Sequence, residues 1–176
     1  MHNSLHRSGD GGSQDLTRAL LAQPVLAPLR RRVARFRIFV VEDNLFVRES
    51  LVRLLGSQPD LSCCGESDSA LTAPFLIAEQ QPDLILADLR LKHGEAFDLL
   101  VTLRELRIGT PVLILSQADE SIYAAKALAA GARGYLMKQE APQELFDAIH
   151  QVLQGSFYLS RNLRAQFRQD FRRTVT

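Results

Sequence analysis

Five short, largely apolar runs divide the middle of the chain at regular intervals, and this pattern restricts the fold more than any other feature. The runs span residues 38–41, 61–64, 84–87, 112–115 and 135–137. Short runs that do not alternate between apolar and polar side chains are typical of strands buried on both faces, as in a parallel sheet. Amphipathic stretches separate them, at 44–55, about 72–80, 95–106, 120–130 and 142–153.

Strand–helix alternation of this kind predicts a doubly wound α/β domain, with a five-stranded parallel sheet and helices on both of its faces. The composition agrees, because 46% hydrophobic and 23% charged residues are close to the globular average. It excludes a wholly disordered chain, and a membrane-spanning helix is not expected, since no apolar run reaches about 18 residues. Cys63 and Cys64 are adjacent and offer no disulfide framework, so we expect a reducing, cytoplasmic setting.

Polar side chains follow four of the five predicted strands. Glu42 and Asp43 come after the first, Asp88 after the third, Ser116 after the fourth and Lys138 after the fifth. In a doubly wound sheet, ligands bind beyond the carboxyl ends of the strands, so we expect these side chains to meet at one edge. The alternative, that Glu42 and Asp43 only cap the following helix, leaves Asp88 and Lys138 without an explanation.

The residue types at this edge point to a particular chemistry. Three carboxylates that lie close together repel one another unless a cation lies among them, and Mg²⁺ suits this role because it takes carboxylate oxygens as ligands. A carboxylate beside a bound cation can attack a phosphorus atom and form an acyl phosphate. An ammonium and a hydroxyl group, here Lys138 and Ser116, can neutralise and hydrogen-bond the oxygens of a transferred phosphoryl group.

Three further motifs complete a pattern that resembles a known family. They are GARGYLMK at 131–138, PQEL at 142–145 and GSFYLS at 155–160. With the strand-end residues, they are similar to the receiver domain of bacterial two-component response regulators, most of all to its NarL-type branch. The resemblance covers about two thirds of the chain, 37–153, and it implies the strand order 2-1-3-4-5.

The resemblance implies a role for each acidic residue at the sheet edge. Asp88 would be the phosphoacceptor. Glu42, Asp43 and Asp88 would hold Mg²⁺ with help from the backbone carbonyl of Arg90. A sensor histidine kinase or a phosphotransfer protein would donate the phosphoryl group. On this interpretation the chain is not an enzyme, beyond catalysing its own phosphorylation and dephosphorylation.

The resemblance also implies a conformational switch. Ser116 would contact the phosphoryl group and start the response, and Lys138 would form an ion pair with the phosphoaspartate. Tyr135 matches the aromatic residue that turns inward on activation. The altered surface, about 119–153, would then meet a downstream protein partner, and the sequence leaves open whether the chain also forms a homodimer.

Two residues depart from the family's pattern. Lys92 stands where the family places a proline, four residues after the phosphoacceptor, and Gln117 follows Ser116 where a small residue is usual. These departures leave the lifetime of the phosphoryl group open. They also motivate a second hypothesis, a phosphorylation-independent interaction module in which the acidic pocket is only a scaffold.

Charge is distributed unevenly along the chain and marks its two ends. Residues 1–37 hold seven Arg and two Asp, and residues 154–176 hold five Arg and one Asp. The residues between carry nine basic and seventeen acidic side chains. We therefore expect a basic, largely flexible extension at 1–36, a receiver domain at 37–153 and an arginine-rich amphipathic helix or tail at 154–176.

The C-terminal stretch predicts a helix with one apolar and one arginine face, capped by Ser160. Such a helix suits a partner surface, a solvated face or a return onto the acidic body. The candidate residues for a partner surface are Leu163, Phe167, Phe171, Arg164 and Arg168. A NarL-type regulator continues into a helix-turn-helix module, whereas only 22 residues follow Gln154. A truncated DNA-binding transcriptional regulator is therefore a third hypothesis, and we do not expect this chain alone to bind DNA.

Overall fold

The computed structural model describes residues 35–160, 163 and 164, which include all of the predicted receiver domain. The predicted extension at 1–36, except its last two residues, and most of the tail beyond Ser160 lie outside the described residues. The main sheet consists of β1 (Phe36–Val41), β2 (Leu61–Ser67), β3 (Leu84–Asp88), β6 (Val112–Ser116) and β7 (Gly134–Met137). A short ribbon consists of β4 (Arg90–Leu91) and β5 (Gly94–Glu95). The helices of the described chain are α1 (Leu45–Ser57), α2 (Ala73–Gln80), α3 (Ala96–Glu105), α4 (Glu120–Ala130) and α5 (Ala141–Leu153).

The main sheet has the strand order β2-β1-β3-β6-β7, and every neighbouring pair is parallel. When the strands of this sheet are counted alone, the order is the predicted 2-1-3-4-5, so the doubly wound fold is confirmed. The antiparallel ribbon β4–β5 lies between β3 and α3 in the chain. Because the strand order reverses beside β1, the carboxyl ends of β1 and β3 flank the crevice where such folds bind ligands.

Successive residues of β1 enter two hydrophobic cores, one on each face of the sheet. Phe39 and Val41 belong to the core that contains residues of α2, α3 and α4. Ile38 and Val40 belong to the core that contains residues of α1 and α5. All four side chains are at most 1% exposed. Helices therefore cover both faces of the strand, which explains why its sequence is continuously apolar instead of alternating.

Local sequence signals set the helix ends within two residues of the predicted positions. The Asn44 side chain accepts hydrogen bonds from the N–H groups of Phe46 and Val47 and so caps α1. Pro74 lies in the first turn of α2, where a missing N–H leaves no helical hydrogen bond unmade. Gly131 ends α4 with a φ of 113°, a conformation that favours glycine. Among the described residues, none of the helices is both long and apolar enough for a membrane span.

The chain continues past α5 and returns to the sheet. Tyr158 forms a parallel bridge with Gly134 of β7, and its N–H donates to the Arg133 carbonyl oxygen at 3.0 Å. A Cβ atom at Gly134 would lie 2.8 Å from Leu113 Cδ1 and 2.9 Å from Tyr158 Cβ. The close approach of these two side chains therefore requires glycine at this position.

We expect Gly134→Ala to destabilise the fold by about 1–3 kcal/mol, because the added methyl group has no room beside Leu113 and Tyr158. The matched control is Gly56→Ala in α1, where an added methyl group meets nothing within 4 Å. Alanine is the better helix former, so the control should stabilise the fold by about 0.5–1 kcal/mol. Urea unfolding measures both changes, and a Gly134→Ala variant at least as stable as the wild type would contradict the close packing at Gly134.

Candidate functional site

The carboxyl edge of the main sheet carries a cavity of about 440 Å³. Glu42 follows β1, Asp88 ends β3, Ser116 ends β6 and Lys138 follows β7, and all of them line this cavity together with Asp43. The other lining residues are Asn44, Val47, Arg90, Gln117 and Ala118. The structure thus brings together the five side chains whose positions at strand ends predicted a common site.

Lys138 contacts two carboxylates at once. Its Nζ lies 2.7 Å from Glu42 Oε2 and 2.9 Å from Asp88 Oδ2. The Glu42 side chain is 1% exposed, and those of Lys138 and Asp88 are each 14% exposed, so little water screens these ion pairs. Burial opposes the charge on Lys138, but the hydrogen bonds to Glu42 and Asp88 outweigh it and raise the pKa of the lysine.

The acidic side chains of Glu42, Asp43 and Asp88 lie close enough to share a cation. One carboxylate oxygen from each lies within 4.8 Å of the others. Burial raises the pKa of Glu42 and the charge of Asp88 adds to the rise, although the hydrogen bond from Lys138 opposes it. One lysine therefore leaves the three acids short of positive charge. This set of oxygen donors fits a hard divalent cation such as Mg²⁺.

Backbone contacts hold the turn that carries Glu42 and Asp43. The Glu42 N–H donates to the Ser67 carbonyl oxygen at 2.9 Å, and the Glu42 carbonyl oxygen accepts from Arg48 Nη1 at 2.6 Å. The Asn44 N–H donates to Glu42 Oε1 at 3.2 Å. These contacts keep the Glu42 carboxylate buried, whereas Asp43 is exposed. The two adjacent acids therefore present one buried and one solvated carboxylate to the same cavity.

Ser116 and Tyr135 fix the loop that follows β6. Ser116 is 2% exposed, and its Oγ accepts from the Ala118 N–H at 2.9 Å. Tyr135 is fully buried, and its hydroxyl donates to the Ala118 carbonyl oxygen at 2.8 Å. Burial raises the pKa of this phenol. Ser116 and Tyr135 therefore hold the N–H and the carbonyl group of one residue, Ala118.

The residues that depart from the family's pattern lie in different surroundings. Gln117 is exposed and lines the cavity. Lys92 is exposed in the turn that joins β4 to β5, and Gly94, the first residue of β5, has a φ of 102°. Arg90, whose backbone carbonyl was predicted as a metal ligand, also lines the cavity. Of the two departures, only Gln117 is therefore a lining residue of the predicted site.

The candidate partner surface at the C-terminus is only partly described. Leu163 is 4% exposed and belongs to the core on the α2–α4 side of the sheet, so it is not free to meet a partner as the sequence suggested. Arg164 is exposed. Phe167, Phe171 and Arg168 lie outside the described residues. Apolar periodicity shows that a helix face is buried, but it does not show whether the chain itself or a partner covers that face.

The sequence did not predict two contacts that join the C-terminal residues to the domain. The Tyr158 hydroxyl donates to Glu144 Oε2, and the Ser160 hydroxyl donates to Glu120 Oε1 at 2.7 Å. Tyr158 and Ser160 both belong to the motif at 155–160, so the sequence did single out these two residues, although not their contacts. Their acidic partners occur on amphipathic helices, where exposed glutamates are common, and nothing in the sequence singles them out.

Comparison with known proteins identifies the class. Residues 38–150 match the family model described as the response regulator receiver domain. The doubly wound sheet and the acidic residues at its carboxyl edge agree with this match. The chain belongs to the response regulator receiver family.

Within this family the chain belongs to the NarL-type branch. It is 30% identical over 126 residues to the nitrate/nitrite response regulator protein NarL, and 32% identical over 136 residues to the transcriptional regulatory protein UhpA, both of Escherichia coli (strain K12). These matches cover 72% and 76% of this chain, but only 58% of NarL and 68% of UhpA. The crystal structure of a LuxR-family response regulator from Aurantimonas sp. SI85-9A1 is similar, with 30% identity and a TM-score of 0.72. That match covers 78% of this chain and 98% of the Aurantimonas chain.

Proposed function

We propose that the chain is the phosphoacceptor switch of a two-component phosphorelay, in which Asp88 receives a phosphoryl group from a sensor histidine kinase or a phosphotransfer protein. The observation that supports this most is the position of Lys138, which contacts both Asp88 and the buried Glu42 in a cavity that Asp43 also lines. An ammonium group beside a partly exposed carboxylate is suited to neutralise charge that the carboxylate gains.

The residues that would hold Mg²⁺ are Glu42, Asp43, Asp88 and the backbone carbonyl of Arg90. The proximity of the three carboxylates supports this proposal. Burial, and then the charge of Asp88, raises the pKa of Glu42, so a cation at this position would favour its charged form. The bound ion would neutralise charge on the phosphoryl oxygens and on these carboxylates. Lys138, which contacts both Glu42 and Asp88, would share that task.

Asp88 is the nucleophile in this proposal. One of its carboxylate oxygens forms a new bond to phosphorus, the bond from phosphorus to the donor's histidine nitrogen breaks, and the nitrogen keeps the electron pair. Lys138, already 2.9 Å from Asp88, neutralises part of the added charge. Ser116 lines the same cavity and can donate its hydroxyl to a phosphoryl oxygen. Such a bond changes the position of Ser116, and through Ala118 the position of the loop.

The output of the whole protein is a proposal drawn from its relatives. UhpA is named a transcriptional regulatory protein, and the match spans 68% of its length. We infer that residues 37–153 act as the receiver of a regulator of this kind. The region 119–153 would provide the surface to which a downstream protein binds.

The test is phosphorylation by acetyl phosphate, followed by intact-mass measurement. In the presence of Mg²⁺ we expect the mass to increase by one phosphoryl group, and peptide mapping should place it on Asp88. Excess EDTA should reduce incorporation by at least about tenfold, because the charge on the phosphoryl oxygens is then less well neutralised. Absence of incorporation at any Mg²⁺ concentration would overturn the proposal. Incorporation on another residue would overturn the role of Asp88.

One observation favours a second candidate, a phosphorylation-independent interaction module. Lys138 forms ion pairs with both Glu42 and Asp88, so this arrangement can also stabilise the fold by itself. This candidate predicts that Asp88→Asn leaves the affinity for a downstream partner unchanged and that Mg²⁺ binds no more tightly than the millimolar range. Isothermal titration with MgCl₂ distinguishes the two functions.

A further inference from the structure

We propose that the residues after α5 form a strap whose attachment depends on the state of the phosphoryl site, an inference that rests on the proposed function. The strap comprises residues 157–160 together with Leu163 and Arg164. It is attached to α4, β7 and α5, which lie in the region proposed as the output surface. Release of the strap would therefore uncover part of that surface.

Tyr158 attaches the strap to β7 and α5. It is 1% exposed and forms the parallel bridge with Gly134. Its hydroxyl donates to the Glu144 carboxylate of α5. The absence of a side chain at Gly134 makes this close approach possible. At Tyr158 the strap is therefore held to the domain by tertiary contacts, in addition to its covalent connection to α5.

Ser160 attaches the strap to the first residue of α4. It is 2% exposed, and its hydroxyl donates to Glu120 Oε1 at 2.7 Å. Ser160 Oγ also accepts from the Leu163 N–H at 3.1 Å, and Leu163 itself is buried in the core. One hydroxyl therefore joins the start of α4 to the last described turn of the chain.

The point of attachment, Glu120, follows directly after the loop that lines the phosphoryl site. Ser116 Oγ accepts from the Ala118 N–H, and the Tyr135 hydroxyl donates to the Ala118 carbonyl oxygen. Asp119 then caps α4 through the Ser121 N–H at 2.8 Å. If Ser116 turns to a phosphoryl oxygen, its bond to Ala118 must change. That change reaches Glu120 through two peptide units.

The carboxylate to which Ser160 is attached, that of Glu120, has few hydrogen-bond donors around it and lies near other acidic side chains. Glu120 is 7% exposed, and its Oε2 has no hydrogen-bond partner in the part of the chain that the structure describes. Burial raises the pKa of the neighbouring Glu140, and the charges of Glu120 and Glu144 raise it further. A buried carboxylate that depends on one serine hydroxyl tolerates little displacement. A small movement of Glu120 should therefore be enough to weaken the attachment.

The strap and the phosphoryl site should affect each other reciprocally. If phosphorylation weakens the attachment, then weakening the attachment by mutation must favour the conformation that phosphorylation favours. The variant that tests this is Ser160→Ala, which removes the donor to Glu120 and the acceptor for the Leu163 N–H. Tyr158→Phe is a second variant, because it removes the donor to Glu144 alone. The matched control is Ser156→Ala, since Ser156 precedes the strap and is exposed.

Hydrogen exchange followed by mass spectrometry measures the attachment in the full chain. We expect exchange in peptides covering 157–164 to accelerate about tenfold in Ser160→Ala, and by less in Tyr158→Phe, with the control unchanged. The wild-type protein with Mg²⁺ and acetyl phosphate should show a similar acceleration. Peptides from β1 and β3 should keep their protection in every variant, which shows that the domain remains folded.

Trifluoroberyllate, a stand-in for the phosphoryl group, provides the reciprocal measurement. We expect Ser160→Ala to bind it, in the presence of Mg²⁺, several-fold more tightly than the wild type or the control, as observed by ¹⁹F NMR. If incorporation and trifluoroberyllate binding are normal but exchange at 157–164 does not respond to them, the strap inference is wrong and the proposed function stands. If neither phosphoryl donor nor trifluoroberyllate reacts at Asp88, both are wrong.

Discussion

Asp88→Asn should reduce phosphoryl incorporation from acetyl phosphate by at least about a hundredfold, because the amide is a far poorer nucleophile than the carboxylate. The substitution keeps the shape of the side chain and an oxygen that can accept the 2.9 Å contact from Lys138. The fold should therefore be retained. Incorporation is measured by intact mass over a time course with saturating Mg²⁺ and donor.

The matched control for this prediction is Asp147→Asn on α5, whose side chain is exposed. It removes the same charge from the chain but lies outside the cavity at the carboxyl edge. We expect its rate of incorporation to equal that of the wild type. Full incorporation in the Asp88 variant, with the phosphoryl group mapped to Glu42 or Asp43, would show that the nucleophile is one of the neighbouring acids.

Lys138→Met should lower the free energy of unfolding by about 2–4 kcal/mol, because it leaves the buried Glu42 and the nearby Asp88 without their common counter-ion. The control is Lys126→Met on α4, which removes an exposed lysine and should change stability by less than about 0.5 kcal/mol. Urea unfolding at pH 8 measures both. Equal stability of the two variants would contradict this prediction, because it would mean that hydration or protonation of Glu42 compensates its buried charge without Lys138.

The decrease in the free energy of unfolding caused by Lys138→Met should become smaller as the pH falls. The lysine hydrogen bond holds down the pKa of Glu42, which burial raises, so removing the lysine raises that pKa further. An acid whose pKa is higher in the folded than in the unfolded state makes the folded state bind more protons, so its contribution to stability grows as pH falls through that pKa. Added Mg²⁺ should also restore more stability to this variant than to the wild type, since the cation replaces the lost charge.

The sequence predicted the sheet and the site because both depend on local signals. Strands such as β3 are buried on both faces, and this leaves a short, continuous apolar run in the sequence. In a parallel, doubly wound sheet, the carboxyl ends of all strands lie at the same edge. Glu42, Asp88 and Lys138 are far apart in sequence, yet their contact follows from this geometry.

The contacts of the C-terminal residues depend on tertiary packing and were not predictable in the same way. Ser160 was expected to cap a helix, and the Leu163 N–H does donate to its hydroxyl. The same hydroxyl also reaches Glu120, 40 residues away, and no periodicity indicates such a pair. Leu163 shows the same limit, because the apolar periodicity of a helix indicates a buried face but not whether the domain or a partner covers it. Only the burial of Leu163 in the core on the α2–α4 side of the sheet decides between them.

The bridge between Tyr158 and Gly134 has a consequence for shortened versions of this chain. β7 is the last strand of the main sheet, and a last strand offers unpaired N–H and carbonyl groups to any other extended chain. A version that stops at Leu153 would keep every residue of the cavity but lose this bridge, and the Arg133 carbonyl oxygen that accepts from the Tyr158 N–H would be open to another chain. A shortened version should therefore retain the chain through Arg164, so that this part of the β7 edge stays covered.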